Sequence, residues 1–154
     1  MIEYVQGNLL DAPAGSIIVH GCNCQGVMGS GVAKAIRDRW PGAYEAYKAH
    51  ERDWGLWLGE FSLYETDTGC LVVNAYTQDE FGKDGRRYVD YEAITRSFDA
   101  VAKIRVSQAL GGKEYGTVAF PKIGAGLGGG NWEIISTIID QTVPSHIRKV
   151  CYSI

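Results

Sequence analysis

The chain has 154 residues, 45% of them hydrophobic and 21% charged, which is the size and balance of one water-soluble domain with a core large enough to need no staples. Fifteen basic against eighteen acidic residues give a formal charge of −3, and the only basic cluster is Lys83-Asp84-Gly85-Arg86-Arg87, so general nucleic-acid binding is not expected. No apolar run reaches membrane-spanning length, and the start of the chain lacks a signal-peptide pattern, so the four cysteines are expected as reduced thiols in a cytoplasmic setting.

The first strand is expected over Ile2–Gln6, where apolar and polar residues alternate up to Gly7-Asn8. Ser16–Val19 is uniformly apolar and reads as a strand buried on both faces, with His20 at its end. The run Gly21-Cys22-Asn23-Cys24-Gln25-Gly26-Val27-Met28-Gly29-Ser30-Gly31 follows. A helix is then expected from about Gly31 to Arg39, and Pro41 starts another that continues to near Arg52. Glu60–Glu65 and Cys70–Tyr76 read as a hairpin around Thr66-Asp67-Thr68-Gly69, and the polar stretch Thr77–Tyr88 reads as a surface loop.

Apolar spacing predicts a helix from Tyr91 to about Leu110, stopped before Gly111-Gly112. A buried strand over Thr117–Pro121 leads into a second glycine-rich loop, Lys122–Gly130. Asn131 is placed to cap a helix from Trp132 to about Gln141, and Ile147–Tyr152 forms the last strand. The order β-β-α-α-β-β-α-β-α-β implies a three-layer α/β fold around a mixed sheet, in one domain spanning residues 1–154.

Two glycine-rich loops, each between an apolar strand and a helix, are the arrangement that lets backbone N–H groups approach an anion. Either loop alone is equally well read as a turn; together they suggest a site for a diphosphate. Neither carries the Gly-Lys-Ser/Thr of a P-loop. Gly124-x-Gly126-x-x-Gly129 matches the dinucleotide fingerprint in form, but no acidic residue follows at the needed distance, since Asp140 falls too early. Cys22-Asn23-Cys24 is too closely spaced for a zinc knuckle and has no second pair, so no metal is expected.

His20 is the residue that suggests chemistry, because an imidazole at the mouth of such a cradle titrates near neutrality; the alternative is a hydrogen-bonded core histidine. Trp54 and Trp57, beside Tyr44 and Tyr47, are expected to pack with the second helix. His50 and His146 are expected to be exposed, and Lys83, Arg86 and Arg87 are read as a solvated loop.

The run His20–Pro41, the Gly7-Asn8-Leu9 turn, Tyr76-Thr77 with Phe81-Gly82, Tyr91, and Phe120–Leu127 closing on Trp132 resemble a macro domain. Within that family they are most similar to the fungal and phage branch that includes ADP-ribose 1''-phosphate phosphatases. The resemblance spans essentially the whole chain. It implies a six-stranded mixed sheet between helices and a cleft for ADP-ribose or ADP-ribose 1''-phosphate, with no cofactor. It implies that Asn8, with Leu9, stands where many members hold an aspartate for the adenine, and that Asn23 is directed at the distal ribose. Contacts are further implied for Gly21, Cys22 and Thr77, for Gly29, Ser30, Gly31 and Val32 of the first loop, and for Gly124, Ala125, Gly126, Leu127 and Gly128 of the second.

His20 matches the family's catalytic histidine, so the resemblance implies hydrolysis of the terminal phosphate, with His20 and Asn23 as the catalytic pair. A related branch that removes ADP-ribose from protein or DNA uses a lysine and an acid; here those positions hold Gln78 and Gly128, and Lys83 is the alternative lysine. The other readings are a binding module without turnover and an ADP-ribosyl hydrolase. A monomer is expected.

Overall fold

In the computed structural model, which describes residues 1–104 and 112–154, six strands form one sheet in the order β1-β6-β5-β2-β4-β3. The strands are β1 (Glu3–Gln6), β2 (Ser16–Asn23), β3 (Phe61–Glu65), β4 (Leu71–Gln78), β5 (Thr117–Phe120) and β6 (Arg148–Ser153). Only β3 runs antiparallel to its neighbour, so the sheet is mixed. The four helices are α1 (Gly31–Arg39), α2 (Pro41–Trp54), α3 (Tyr91–Ile104) and α4 (Trp132–Thr142), and a single 3₁₀ turn covers Leu9–Asp11. The expected continuation of the third helix to Leu110 lies outside the described residues.

Strand alternation divides the core into two layers. Ile17 and Val19 of β2, with Leu71, Val73 and Ala75 of β4, face Ile94, Phe98 and Val101 of α3 and Ile135 and Ile139 of α4. Ile18 and Val72 face Ile36 of α1 and Ala43 of α2 on the other side. β2 lies in the middle of the sheet and is buried from end to end, with only Gly21 partly accessible. It continues four residues beyond the apolar run that marked it in the sequence, because β4 keeps pairing as far as Asn23↔Gln78. For the same reason Thr77 and Gln78 belong to β4, and the following loop begins at Asp79.

Two expectations about side chains need correction, and one buried charge carried no expectation. Trp54 and Trp57 do not pack with α2: they are 75% and 65% exposed. His50 is half-buried, its ring tilted against Tyr76 with 5.3 Å between centroids. Lys149, in the apolar-looking last strand, is 1% exposed; its ammonium donates to the Val143 carbonyl at 3.1 Å and pairs with Asp140 at 3.2 Å. No helix among the described residues is long and apolar enough to cross a membrane.

Candidate functional site

Parallel strands end together, and β2 has β5 on one side and β4 on the other, so the chain leaves these strands in diverging directions and opens a crevice at their carboxyl ends. A cleft of about 610 Å³ occupies it. Its floor is Gly21, Cys22 and Asn23 from β2 with Thr77 and Gln78 from β4; its walls are residues 29–33 at the start of α1 and the loop after β5.

The first wall is a helix start. The N–H groups of Gly31, Val32 and Ala33 have no carbonyl one turn back, and the helix dipole adds partial positive charge there. Ser30 stands at the cap position in extended conformation and makes no side-chain cap bond, which leaves these donors open to the cleft. The second wall is tied to the neighbouring loop: the Gly128 carbonyl accepts from the Tyr88 and Val89 N–H groups at 2.7 and 3.0 Å. Gly129 has φ +70°, and a β-carbon there would run into the Arg86 carbonyl, so only glycine lets the two loops meet.

Gly21 is required by close approach. A β-carbon on it would lie 2.7 Å from the Thr77 hydroxyl oxygen. That hydroxyl is buried, lines the cleft through Thr77, and has no hydrogen-bond partner among the described residues. A buried hydroxyl without a partner is unfavourable unless something else supplies the bond.

Asn23 is 9% exposed and holds the first loop in shape. Its Nδ2 donates to the Val27 carbonyl at 2.8 Å, while its Oδ1 accepts from the Gln25 N–H and the Tyr47 hydroxyl, both at 2.9 Å. Tyr47 also contacts the Asn23 carbonyl at 2.6 Å and accepts from the Gly26 N–H at 3.1 Å. One Nδ2 proton of Asn23 is left for a ligand.

His20 is not at the mouth of the cleft. It is fully buried and directed by strand alternation to the face covered by α2. Its register partner is Asn74, whose Oδ1 lies 2.6 Å from His20 Nε2. Asn74 Nδ2 donates to the Ala43 carbonyl and to Ser62 Oγ, both at 3.0 Å, so its oxygen faces the histidine and His20 must carry its proton on Nε2. Desolvation holds the imidazole at about 4, well below its ordinary 6.5, although the bond to Asn74 works the other way. In this structure His20 fastens the end of β2 to β4 and lies outside the cleft lining, not at the mouth where its position in the sequence had suggested it.

Asn8 and Leu9 also stand apart from the cleft lining: the Asn8 oxygen caps the 3₁₀ turn, accepting from the Leu10 N–H at 2.9 Å, and Leu9 is buried in the α1 and α2 layer. Ala125 packs toward the α3 and α4 layer and does not line it either. The remaining expected residues, Gly21, Cys22, Asn23, Gly29, Ser30, Gly31, Val32, Thr77, Gly124, Gly126, Leu127 and Gly128, do line the cleft.

Several lining residues were not expected as ligand contacts: Val27, Phe81, Lys83 and Lys122 among them. The Phe81-Gly82 motif was a usable signal for Phe81 and the adjoining Lys83, whereas nothing local marks Val27. Arg86 is occupied by Asp84 at 3.2 Å and by the Tyr88 hydroxyl, and Arg87 lies over the Tyr91 ring at 4.5 Å. Lys83 and Lys122, by contrast, have no acidic partner among the described residues. Among the described residues no carboxylate lines the cleft.

The cysteines are free, and burial pushes the Cys22 thiol well above its ordinary value and Cys24 up to about 11. Neither is a thiolate nucleophile. Among the described residues no group of three or more histidine, cysteine or acidic side chains is placed to hold a metal.

The family model described as Macro domain matches residues 19–139. The chain belongs to the macro domain family. A 17.5 kDa protein of Enterobacteria phage T4, of uncharacterised function, is 33% identical over 146 residues, 91% of this chain and 88% of that protein. The ADP-ribose 1''-phosphate phosphatase of Debaryomyces hansenii is 28% identical over 174 residues, 96% of this chain and 97% of the relative. Against the phosphatases of Aspergillus fumigatus and Aspergillus oryzae the match is confined to 49 residues, 32% of this chain and 24% of each of those proteins. Among solved structures, the macrodomain of Thermus aquaticus DarG superposes with a TM-score of 0.78 at 27% identity, covering 100% of this chain and 98% of that one. This macro domain thus carries the six-stranded sheet and four helices expected from its sequence.

Proposed function

We propose that this macro domain binds ADP-ribose 1''-phosphate and hydrolyses it, with one water, to ADP-ribose and inorganic phosphate. The observation that carries the proposal is the character of the cleft: helix-start and glycine-loop N–H groups, the unpartnered Thr77 hydroxyl, and Lys83 and Lys122 as its charged groups, with no carboxylate. Such a lining is complementary to a diphosphate and to a further phosphate beyond it. The phosphatase name of the Debaryomyces relative supports the same substrate.

Phosphoryl transfer asks mainly for positioning and for charge stabilisation, and this suits a site whose nearest imidazole is buried and neutral. Asn23 orients the distal ribose, the loops hold the phosphates, and Lys83 neutralises charge on the phosphoryl oxygens and the leaving group. We further infer that the protein works as a monomer in a cytoplasmic setting, in keeping with its free thiols.

The test is phosphate release from ADP-ribose 1''-phosphate by the wild type, Asn23→Ala, Lys83→Ala and His20→Gln. Loss of one lysine contact should lower kcat/KM by roughly tenfold to a hundredfold, Asn23→Ala by a comparable factor, and His20→Gln much less. Tight ADP-ribose binding with no phosphate release makes the domain a binding module. A second reading is favoured by the position of Lys83 itself, a free amine lining the cleft: release of ADP-ribose from a modified protein or DNA, lost in Lys83→Ala, assigns it to an ADP-ribosyl hydrolase.

A further inference from the structure

Gln78, at the end of β4, is a polar side chain on the cleft floor whose direction the fold fixes. Its Nε2 donates to the Glu80 carbonyl at 2.8 Å, and this bond decides which way the amide is turned. The other end of the amide, Oε1, stands against the second glycine loop, where a β-carbon on Gly128 would lie 3.2 Å from it. That same β-carbon would meet the Gly124 carbonyl at 2.7 Å, so glycine at 128 is what leaves the oxygen uncovered. Oε1 receives no donor among the described residues and, unlike the Thr77 hydroxyl, is not closed off by protein.

The rest of the lining is rich in donors, which suits phosphate oxygens but does nothing for the protons of a water molecule. Asn23 Oδ1 is already engaged by the Gln25 N–H and the Tyr47 hydroxyl, both at 2.9 Å. The Ser30 and Thr77 hydroxyls can donate to an anion, whereas an amide oxygen can only accept. Among the described residues, Gln78 Oε1 is therefore the unengaged accept-only side-chain oxygen of the cleft. A water that attacks phosphorus must aim a lone pair at it, so at least one of its protons needs a fixed acceptor on the far side. Strand register sets Gln78 beside Asn23, the residue assigned to the distal ribose, and so at the end of the cleft that takes the terminal phosphate.

We propose that Gln78 positions the attacking water, its Oε1 accepting a hydrogen bond from one of the water's protons. This role rests on the phosphatase reading above and names the group that orients the nucleophile. The water oxygen bonds to phosphorus as the bond between phosphorus and the 1''-oxygen breaks. One water proton passes by way of a phosphoryl oxygen to the leaving 1''-oxygen, and the other stays on the inorganic phosphate. An amide oxygen is too weak a base to keep a proton, and a loose phosphoryl-transfer transition state does not require it to.

The test separates turnover from binding in the intact protein. Gln78→Met keeps the length of the side chain and removes the oxygen; Gln78→Asn keeps the amide and draws its oxygen back. Phosphate release from ADP-ribose 1''-phosphate should show kcat lower by roughly a hundredfold in Gln78→Met and by at least about tenfold in Gln78→Asn, with KM changed by less than about threefold. Calorimetry with ADP-ribose should give the wild-type affinity for both variants, which also reports that they are folded. Undiminished kcat in Gln78→Met overturns the role. So does a loss of ADP-ribose affinity that matches the loss of rate, since the amide would then be holding the ligand or the loop. If the wild type itself releases no phosphate, the phosphatase reading falls and takes this role with it; wild-type turnover that Gln78→Met leaves intact removes the role alone.

Discussion

Lowering the pH should destabilise this domain through one buried side chain, His20. In the folded protein its imidazole titrates at about 4, and in the unfolded chain at its ordinary 6.5. Between those values the unfolded state binds a proton that the folded state does not, so stability falls as the pH is lowered. Above about pH 6.5 the contribution of His20 is fully present. By linkage it falls by about 2 kcal/mol between pH 7 and pH 5, and by about 3 kcal/mol at pH 4. The cause is structural: a second proton would sit on Nδ1, whose one hydrogen-bond contact among the described residues is the Cys22 sulfur at 3.9 Å, in a fully buried position. Urea unfolding across this range, for wild type and His20→Gln, measures the effect. Glutamine keeps an N–H donor for Asn74 but does not titrate, so the pH slope of the variant should be shallower by up to one proton whatever its absolute stability. Parallel slopes in the two proteins, or a His20 resonance titrating at 6 or above, refute the burial argument.

Tyr47→Phe removes the hydroxyl that braces the Asn23 carbonyl, the Asn23 amide and the Gly26 N–H; stability should fall by about 1–2 kcal/mol, and calorimetry should show ADP-ribose affinity falling by roughly tenfold. Gly129→Ala forces both a positive φ and a collision with the Arg86 carbonyl, so a loss of about 1–3 kcal/mol is expected in thermal unfolding, with NMR shifts spread over both loops. Asp140→Asn removes the counter-charge of the buried Lys149 and should cost about 2 kcal/mol, whereas Lys149→Met, which removes the buried charge itself, should cost less in the same denaturant titration.

Local signals in the sequence were sufficient for most of the architecture. Period-two and period-3.6 patterns marked the strands and helices, and Pro41, Gly69 and Asn131 set ends that the structure reproduces within a residue or two. Both glycine loops were legible for a similar reason, since glycine at close approach or at positive φ is a chemical requirement written into the position itself. Even the open helix start of α1 could be read, because it depends on backbone donors that every helix has.

What only the tertiary structure decided depended on partners far away in the chain. His20 is a core residue because register places it opposite Asn74, 54 positions later, and because Ala43 and Ser62 complete the network around that amide. Lys149 is tolerated inside because the end of α4 brings Asp140 and a carbonyl to it. Lys83 lines the cleft because its loop is pinned through Tyr88 and Val89 to Gly128. Trp54 and Trp57 read as packing with the second helix, but α2 buries Ala43 and Tyr47 and leaves both indoles largely in solvent. Composition and periodicity determine which elements form and where anions can be held; the direction in which a polar side chain points, and hence whether it does chemistry or holds the core together, is fixed by pairings that exist only once the sheet has assembled.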